Sequence, residues 1–328
     1  MNLPLFVSAD ATEQVLNWPD MIECLRMAYS IELSDVCNPP RTAAYGDGNW
    51  LRTLTAVPPV GRFMGSKVFG LSREKSVNYL ITLFDQDSGE IVGLIDGNEI
   101  TSLRTAATSA LAVSLMAGTQ PMTVGVLGSG TEAHAHLAAI SSVVEISKAN
   151  IFSPTQANRE RFAANYSEKL NVPCIAVGSP REAVEACDIV IGATNAMTGS
   201  PILLGEWLTP QALVVAIGST MSKQHEIDPR TIEVSDLIVC DMIEEIVHET
   251  GDFIAAREAG VAFENKLVSL DELVRGDLND RLATASRTMF KSVGSAVQDI
   301  AVAELAFNRA VDNGLAIELP IEFRVKQA

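Results

Sequence analysis

The chain has 328 residues, 47% hydrophobic and 20% charged, which is the composition of a globular protein with room for two domains and a large core. Its formal net charge of −17 argues against nucleic acid and anionic membranes as partners, since both recruit cationic surface. No apolar run reaches the length of a membrane span, residues 1–10 lack a signal-peptide pattern, and the five scattered cysteines read as reduced thiols, so a cytoplasmic protein is expected.

In chain order, residues 18–32 carry apolar side chains at helical spacing, and 52–58, 63–69 and 78–85 read as strands. The last of these ends in the turn Asp85-Gln-Asp-Ser-Gly89, and 99–117 form a strong helix. Thr123-Val-Gly-Val-Leu-Gly128-Ser-Gly130-Thr-Glu-Ala133 then runs as an apolar strand into a Gly-x-Gly-x-x-Ala turn, with a helix-compatible segment over 132–144. A β-α rhythm continues through strands at 149–153, 174–177, 188–194, 212–218 and 237–240 and helices at 158–170 and 181–186. Near-continuous apolar strands of this kind belong to a parallel sheet covered on both faces. Residues 287–313 read as one long amphipathic helix, and the tail 317–323 alternates like a strand that Pro320 confines to an edge. The fold class expected is α/β: a Rossmann-type doubly wound parallel sheet over 118–290 and a smaller α+β domain over 1–117, joined by the C-terminal segment 291–328.

The strand–turn–helix context makes the glycine motif a dinucleotide site. Gly128 allows the turn, Gly130 lets the backbone approach a pyrophosphate, and Ala133 keeps helix and strand close. Ser129, Thr131 and Glu132 complete the first turn, where unpaired N–H groups and the helix dipole favour an anion. A cofactor specific for NAD(H) needs a carboxylate at the end of the second strand, but Phe152-Ser153-Pro154-Thr155-Gln156 has none. Ser153, Thr155 and Arg159 suit a 2′-phosphate better, so NADP(H) is favoured over NAD(H). The strand ends Ala193-Thr194 and Gly218-Ser219 are candidates for the nicotinamide half. His134 and His136 are two residues apart on a helix and point to different faces, so no metal is expected.

Three cations stand in unusual company: Arg41 beside prolines, Lys67 inside an apolar strand, and Arg104 at the start of a small-residue helix. A Lys within an apolar strand is costly to bury unless it meets an anion. Together the three suggest a carboxylate clamp. Arg52 is an extra cation in the same domain, available to a second carboxylate or to a surface acid.

At this point the chain resembles the ornithine cyclodeaminase/mu-crystallin family. The resemblance rests on Asp96-Gly-Asn-x-Ile-Thr-x-x-Arg-Thr-Ala-Ala, Gly128-x-Gly-x-x-Ala, Pro201-Ile-Leu-x-Gly-Glu-Trp-x-x-Pro210, Glu226-Ile-Asp228 and Lys291-Ser-x-Gly-x-Ala-Val-x-Asp299, in order from about residue 38 to 310. It implies a homodimer whose smaller domain serves substrate binding and dimerisation, a tightly held nicotinamide cofactor, and imine chemistry at the α-carbon of an amino acid. By the same resemblance Arg41, Lys67 and Arg104 fall on the substrate-carboxylate positions, and Lys67 is the proton donor near the imine nitrogen. Two neighbouring Arg disfavour its ammonium form, which suits proton transfer. Cyclodeaminases of the family carry a catalytic Asp just after the Gly that ends the fifth strand, where this chain has Gly218-Ser219-Thr220. Thr220 cannot act as a carboxylate toward a cationic amine.

The resulting expectation is an NAD(P)H-dependent reductase of a small α-imino acid. A cyclodeaminase-type lyase with a recycled cofactor is the alternative, and a non-enzymatic, crystallin-like binder a second.

Overall fold

Trp50–Ala56, Phe63–Leu71 and Val77–Asp85 are rich in the aromatic and β-branched residues that favour strands, and burial alternates along the first and the last of them. In the computed structural model, which describes residues 3–197 and 200–323, these strands belong to the first of two units. That unit is Met1–Arg104 with Gly294–Ala328, and the second is Thr105–Val293. Residues 324–328 of the expected C-terminal segment lie outside the described residues.

The first unit's sheet comprises, among the described residues, β1 (Leu5–Val7), β2 (Thr42–Tyr45), β3 (Trp50–Ala56), β4 (Phe63–Leu71), β5 (Val77–Asp85), β6 (Ile91–Asp96) and β15 (Ile317–Glu318). Their order is β15-β1-β6-β5-β4-β3-β2, antiparallel throughout except for β1 against β6. Register puts Leu54 opposite Lys67 and Lys67 opposite Ile81, and likewise Arg52 opposite Phe69 and Phe69 opposite Tyr79. Directly opposed residues share a face, so Arg52 and Lys67 stand on one face of this sheet. Helix Ala296–Asp312 packs on β3, β4 and β5 and on helix Trp18–Ala28 through a stripe that includes Val297, Ile300 and Ala303.

The second unit is built on eight parallel strands: β7 (Met122–Leu127), β8 (Ile146–Phe152), β9 (Cys174–Ala176), β10 (Ile189–Gly192), β11 (Leu213–Ala216), β12 (Leu237–Cys240), β13 (Leu267–Ser269) and β14 (Thr288–Lys291). Their order is β13-β12-β14-β11-β10-β7-β8-β9, so the chain leaves β7 toward β8 and β9 and then crosses back to β10. Every residue of β10, β11, β12 and β14 is buried, as a sheet covered on both faces requires. The reversal of strand order between β7 and β10 is the switch point at which such sheets open a crevice at their carboxyl ends.

The structure corrects one local expectation and adds strands that the sequence pattern does not announce. The helix expected over 287–313 is two elements, β14 and helix Ala296–Asp312. Thr288–Lys291 gains two parallel partners by inserting between β11 and β12, and this sheet pairing overrides its helical periodicity. Strands β1, β2, β6 and β13 are too short or too weakly patterned to stand out in the sequence. The two compact units divide at 104/105, within helix Gly97–Met116, and at 293/294, just before helix Ala296–Asp312. Among the described residues no helix is long and apolar enough to cross a membrane.

Candidate active site

In the second unit, helix Thr131–Ile140 begins at Gly130, an N-cap without a side-chain hydrogen bond, so its first N–H groups are offered to a ligand. Open space lies where a Cβ of Gly130 would stand. Gly128 has φ +122°, and a Cβ there would lie 2.4 Å from the Ala193 carbonyl oxygen. The turn at Gly128 therefore admits no side chain. Ala133 is fully buried behind the turn. A cavity of about 710 Å³ opens in front of it, lined by Gly128, Ser129, Gly130, Thr131 and Glu132, by Ser153 at the end of β8, by Ala193 and Thr194 after β10, and by Gly218 after β11. Its size and its uncapped helix terminus fit a dinucleotide with its pyrophosphate at the turn.

Four expected cofactor residues do not line this cavity. Ala133 lies behind the turn, and Thr155 is exposed as the N-cap of helix Gln156–Leu170. Arg159 Nη1 donates to the Ser153 carbonyl at 2.9 Å, and its guanidinium lies 5.8 Å from the Phe152 ring, so it braces the strand end. Ser219 is buried, its Oγ donating to the Gln224 carbonyl at 2.7 Å. Thr220, expected at the substrate, lines this cavity, with its N and Oγ1 both donating to Gln224 Oε1 at 2.8 and 3.3 Å. Asn195 and Gln224 also line it and carry no local motif by which the sequence could announce them, and Trp207 lines it from within the Pro201-Ile-Leu-x-Gly-Glu-Trp motif. His136 Nε2 meets Ser109 Oγ at 3.0 Å, and His134 stacks on Phe162 at 3.9 Å.

Under the cavity lies a buried charge cluster that the sequence reading missed. Glu226 Oε1 accepts from Thr194 N at 2.6 Å and from Thr194 Oγ1 at 2.8 Å, and its Oε2 accepts from Gly218 N at 2.8 Å. One carboxylate therefore holds both loops that follow β10 and β11. Burial pushes its pKa up, while Lys291 and the two backbone donors oppose the shift. Lys291 Nζ donates to the Ser219 carbonyl at 2.8 Å and stands 3.6 Å from Asp252 Oδ2. Asp252 Oδ1 accepts from the N–H groups of Glu226 and Ile227 at 2.7 and 3.2 Å.

In the first unit the cations gather around one acid. Lys67 Nζ and Arg104 Nε each donate to Asp299 Oδ1 at 2.8 Å, and all three side chains are buried. Arg104 Nη1 donates to Gln298 Oε1 at 2.7 Å, and Gln298 Nε2 donates to Tyr29 Oη at 3.0 Å, so the guanidinium is fixed in plane. Gly294, at φ +84°, leaves room for it: a Cβ there would lie 2.5 Å from the Arg104 guanidinium. Asp299 Oδ2 is buried without a hydrogen-bond partner. Lys67 is 1% exposed, and its pKa is lowered to about 8. Burial is the largest cause, and Arg104 and Arg41 add to it against the pull of Asp299. The neighbouring Arg residues thus act in the expected direction, but desolvation outweighs them. Arg41 is half-buried just before β2. Arg52 is 8% exposed, its guanidinium 4.8 Å from the Trp50 ring centroid. The sequence places Asp299 in a motif but gives no sign that it pairs with Lys67, 232 residues away.

Residues 56–314 match the ornithine cyclodeaminase/mu-crystallin family. The Delta(1)-pyrroline-2-carboxylate reductase of Bacillus cereus is 28% identical over 321 residues, 95% of this chain and 98% of its own. The ketimine reductase mu-crystallin of Macropus fuliginosus is 32% identical over 231 residues, 70% of this chain and 68% of its own. Among solved structures, the Thermococcus litoralis Delta(1)-pyrroline-2-carboxylate reductase in complex with NADH and L-proline is 27% identical, with a TM-score of 0.86 over 96% of this chain and 100% of that one. Motif, fold and match over most of the length agree: the chain belongs to the ornithine cyclodeaminase/mu-crystallin family.

Proposed function

We propose that this protein is an NAD(P)H-dependent reductase that converts a small α-imino acid to the amino acid. The observation that carries the reading is the buried convergence of Lys67 and Arg104 on Asp299, a cationic site suited to a carboxylate beside a proton donor. It is supported by relatives named as reductases of C=N bonds. The nicotinamide, when bound, supplies the hydride for the imine carbon and leaves oxidised. The chain's residues do the rest. Arg41 and Arg104 hold the α-carboxylate and so fix the substrate's orientation. As the carbon gains its hydrogen, the π electron pair of the C=N bond moves to nitrogen, and the Lys67 ammonium delivers the proton that completes the amine. Asp299 orients both cations and keeps Lys67 charged near neutral pH. The turn from Gly128 to Glu132 holds the pyrophosphate, and Glu226 positions the two loops, at Thr194 and Gly218, that line the nicotinamide half.

NADP(H) is the favoured cofactor. Phe152-Ser153-Pro154-Thr155-Gln156 presents no carboxylate to a ribose 2′-hydroxyl, and Arg159 brings positive charge to the same strand end. NAD(H) is the other choice, and the Thermococcus relative is complexed with NADH. A cytoplasmic homodimer completes the proposal. Thr220 in place of an acid weighs against cyclodeamination.

The test is oxidation of NADPH and NADH by the purified protein with Δ1-pyrroline-2-carboxylate, Δ1-piperideine-2-carboxylate, and pyruvate plus ammonia or methylamine. Loss of nicotinamide absorbance is expected with at least one. Silence across the panel, with ammonia released from ornithine or lysine and no net cofactor change, would overturn the reading in favour of a lyase.

A further inference from the structure

The first unit buries one more cation than a monocarboxylic substrate employs. Arg26, Arg62, Arg104 and Arg309 of this unit each meet a carboxylate. Arg52 is nearly as buried as Arg104, yet its Nε is buried with no hydrogen-bond partner, and its guanidinium lies over the face of Trp50 at 4.8 Å. An indole face stabilises a guanidinium but supplies no hydrogen-bond acceptor. Burying a cation so incompletely satisfied is costly, and proteins keep such groups where a ligand completes them.

Position says which ligand. Arg52 lies directly opposite Phe69, and Lys67 stands two residues along β4 on the same face, a diagonal of about 7–8 Å between side-chain bases. Trp50, Phe69 and Tyr79 form a continuous row, with centroids 5.4 and 5.0 Å apart. Arg52 caps the row at Trp50, while Lys67 Nζ lies 5.5 and 5.9 Å from Phe69 and Tyr79. Helix Ala296–Asp312 meets Lys67 through Asp299 in its first turn and Phe63 through Phe307 further on, so it runs away from the Phe69 and Arg52 end. Two cations, one at each end of an aromatic row and one of them paired with no acid among the described residues, match a short molecule with an anion at both ends.

Building on the reductase reading, we infer that the preferred substrate is a dicarboxylic α-imino acid and that Arg52 is the specificity-determining residue that binds its second carboxylate. A short-chain imine such as that formed from oxaloacetate and ammonia has this shape. Its α-carboxylate takes the Arg41, Lys67 and Arg104 end, and its distal carboxylate takes the guanidinium fork of Arg52.

The experiment compares kcat/KM for oxaloacetate plus ammonia with that for pyruvate plus ammonia, in the full-length protein and in Arg52→Met and Arg52→Lys. The wild type is expected to prefer the dicarboxylic imine by at least about tenfold, the scale of one added charge-assisted contact. Arg52→Met, which keeps the apolar stem, should erase that preference chiefly through KM for the dicarboxylic imine. Arg52→Lys should restore part of it, since the charge returns without the fork. Equal losses on both substrates in Arg52→Met, or a wild type that favours pyruvate plus ammonia, would overturn the inference. The wild-type ratio decides the matter even if Arg52→Met does not fold. Reduction of the monocarboxylic imine alone would leave the reductase reading standing, whereas reduction of neither it nor the cyclic imines would remove both.

Discussion

Lys67 shows how burial and pairing together set a residue's chemistry. Desolvation lowers its pKa and Asp299 at 2.8 Å opposes the shift, leaving the pKa at about 8. Below that value the residue is an ammonium able to donate, and above it the proton is gone. Imine reduction should therefore lose rate as pH rises through about 8, read from the pH profile of kcat/KM. Asp299→Asn removes the interaction that favours the ammonium, so this limb should move to lower pH by about 1–2 units. A limb that stays in place in that variant would show that another group titrates. Lys67→Met should cut turnover by roughly 10²–10⁴-fold, the range of a lost general acid, while titration of NADH fluorescence still reports binding. At this scale the sequence reading identified the cations and not their partner. The patterns that flag a Lys in an apolar strand are local, whereas its acid arrives on a helix 232 residues later.

Among the elements, the strand–turn–helix over Met122–Leu127 and Thr131–Ile140 was the most legible. Its signals are a run of apolar residues, two glycines and a helix start, all within one short segment. Gly128 is held at φ +122° against the Ala193 carbonyl, so Gly128→Ala adds backbone strain and a steric clash. A loss of about 1–3 kcal/mol in denaturant unfolding is expected, with weakened NADH affinity. Unchanged stability would mean that the turn relaxes without cost. The strand Thr288–Lys291 was illegible for the converse reason. Its four residues continue the apolar spacing of the following helix, and only insertion between β11 and β12 makes them a strand. Glu226 belongs here too. Its motif is visible, but its work of tying Thr194 to Gly218 exists only once the ends of β10 and β11 lie side by side.

For the whole molecule, a net charge of −17 coexists with cations gathered in the first unit around a buried acid, so an anionic ligand there would be held by local charge against the overall field. The dinucleotide cavity belongs to the second unit, and a ligand that binds only the folded state stabilises it by mass action, about 2.7 kcal/mol at a hundredfold excess over Kd. NADH and NADPH should each raise the melting temperature, the tighter one by more at equal concentration. No shift with either would contradict the cofactor assignment. Composition, charge, the βα rhythm and the glycine turn were readable from the chain alone because each is a property of neighbouring residues and of one period of secondary structure. The Lys67–Asp299–Arg104 pairing, the central place of β14, the Glu226 tie and the companionship of Arg52 with the Trp50 ring come from the fold. Three of these four join segments far apart in sequence, and the fourth depends on which face of a strand is buried. Local patterns carry no record of which distant segment will supply the partner, the neighbouring strand or the cover.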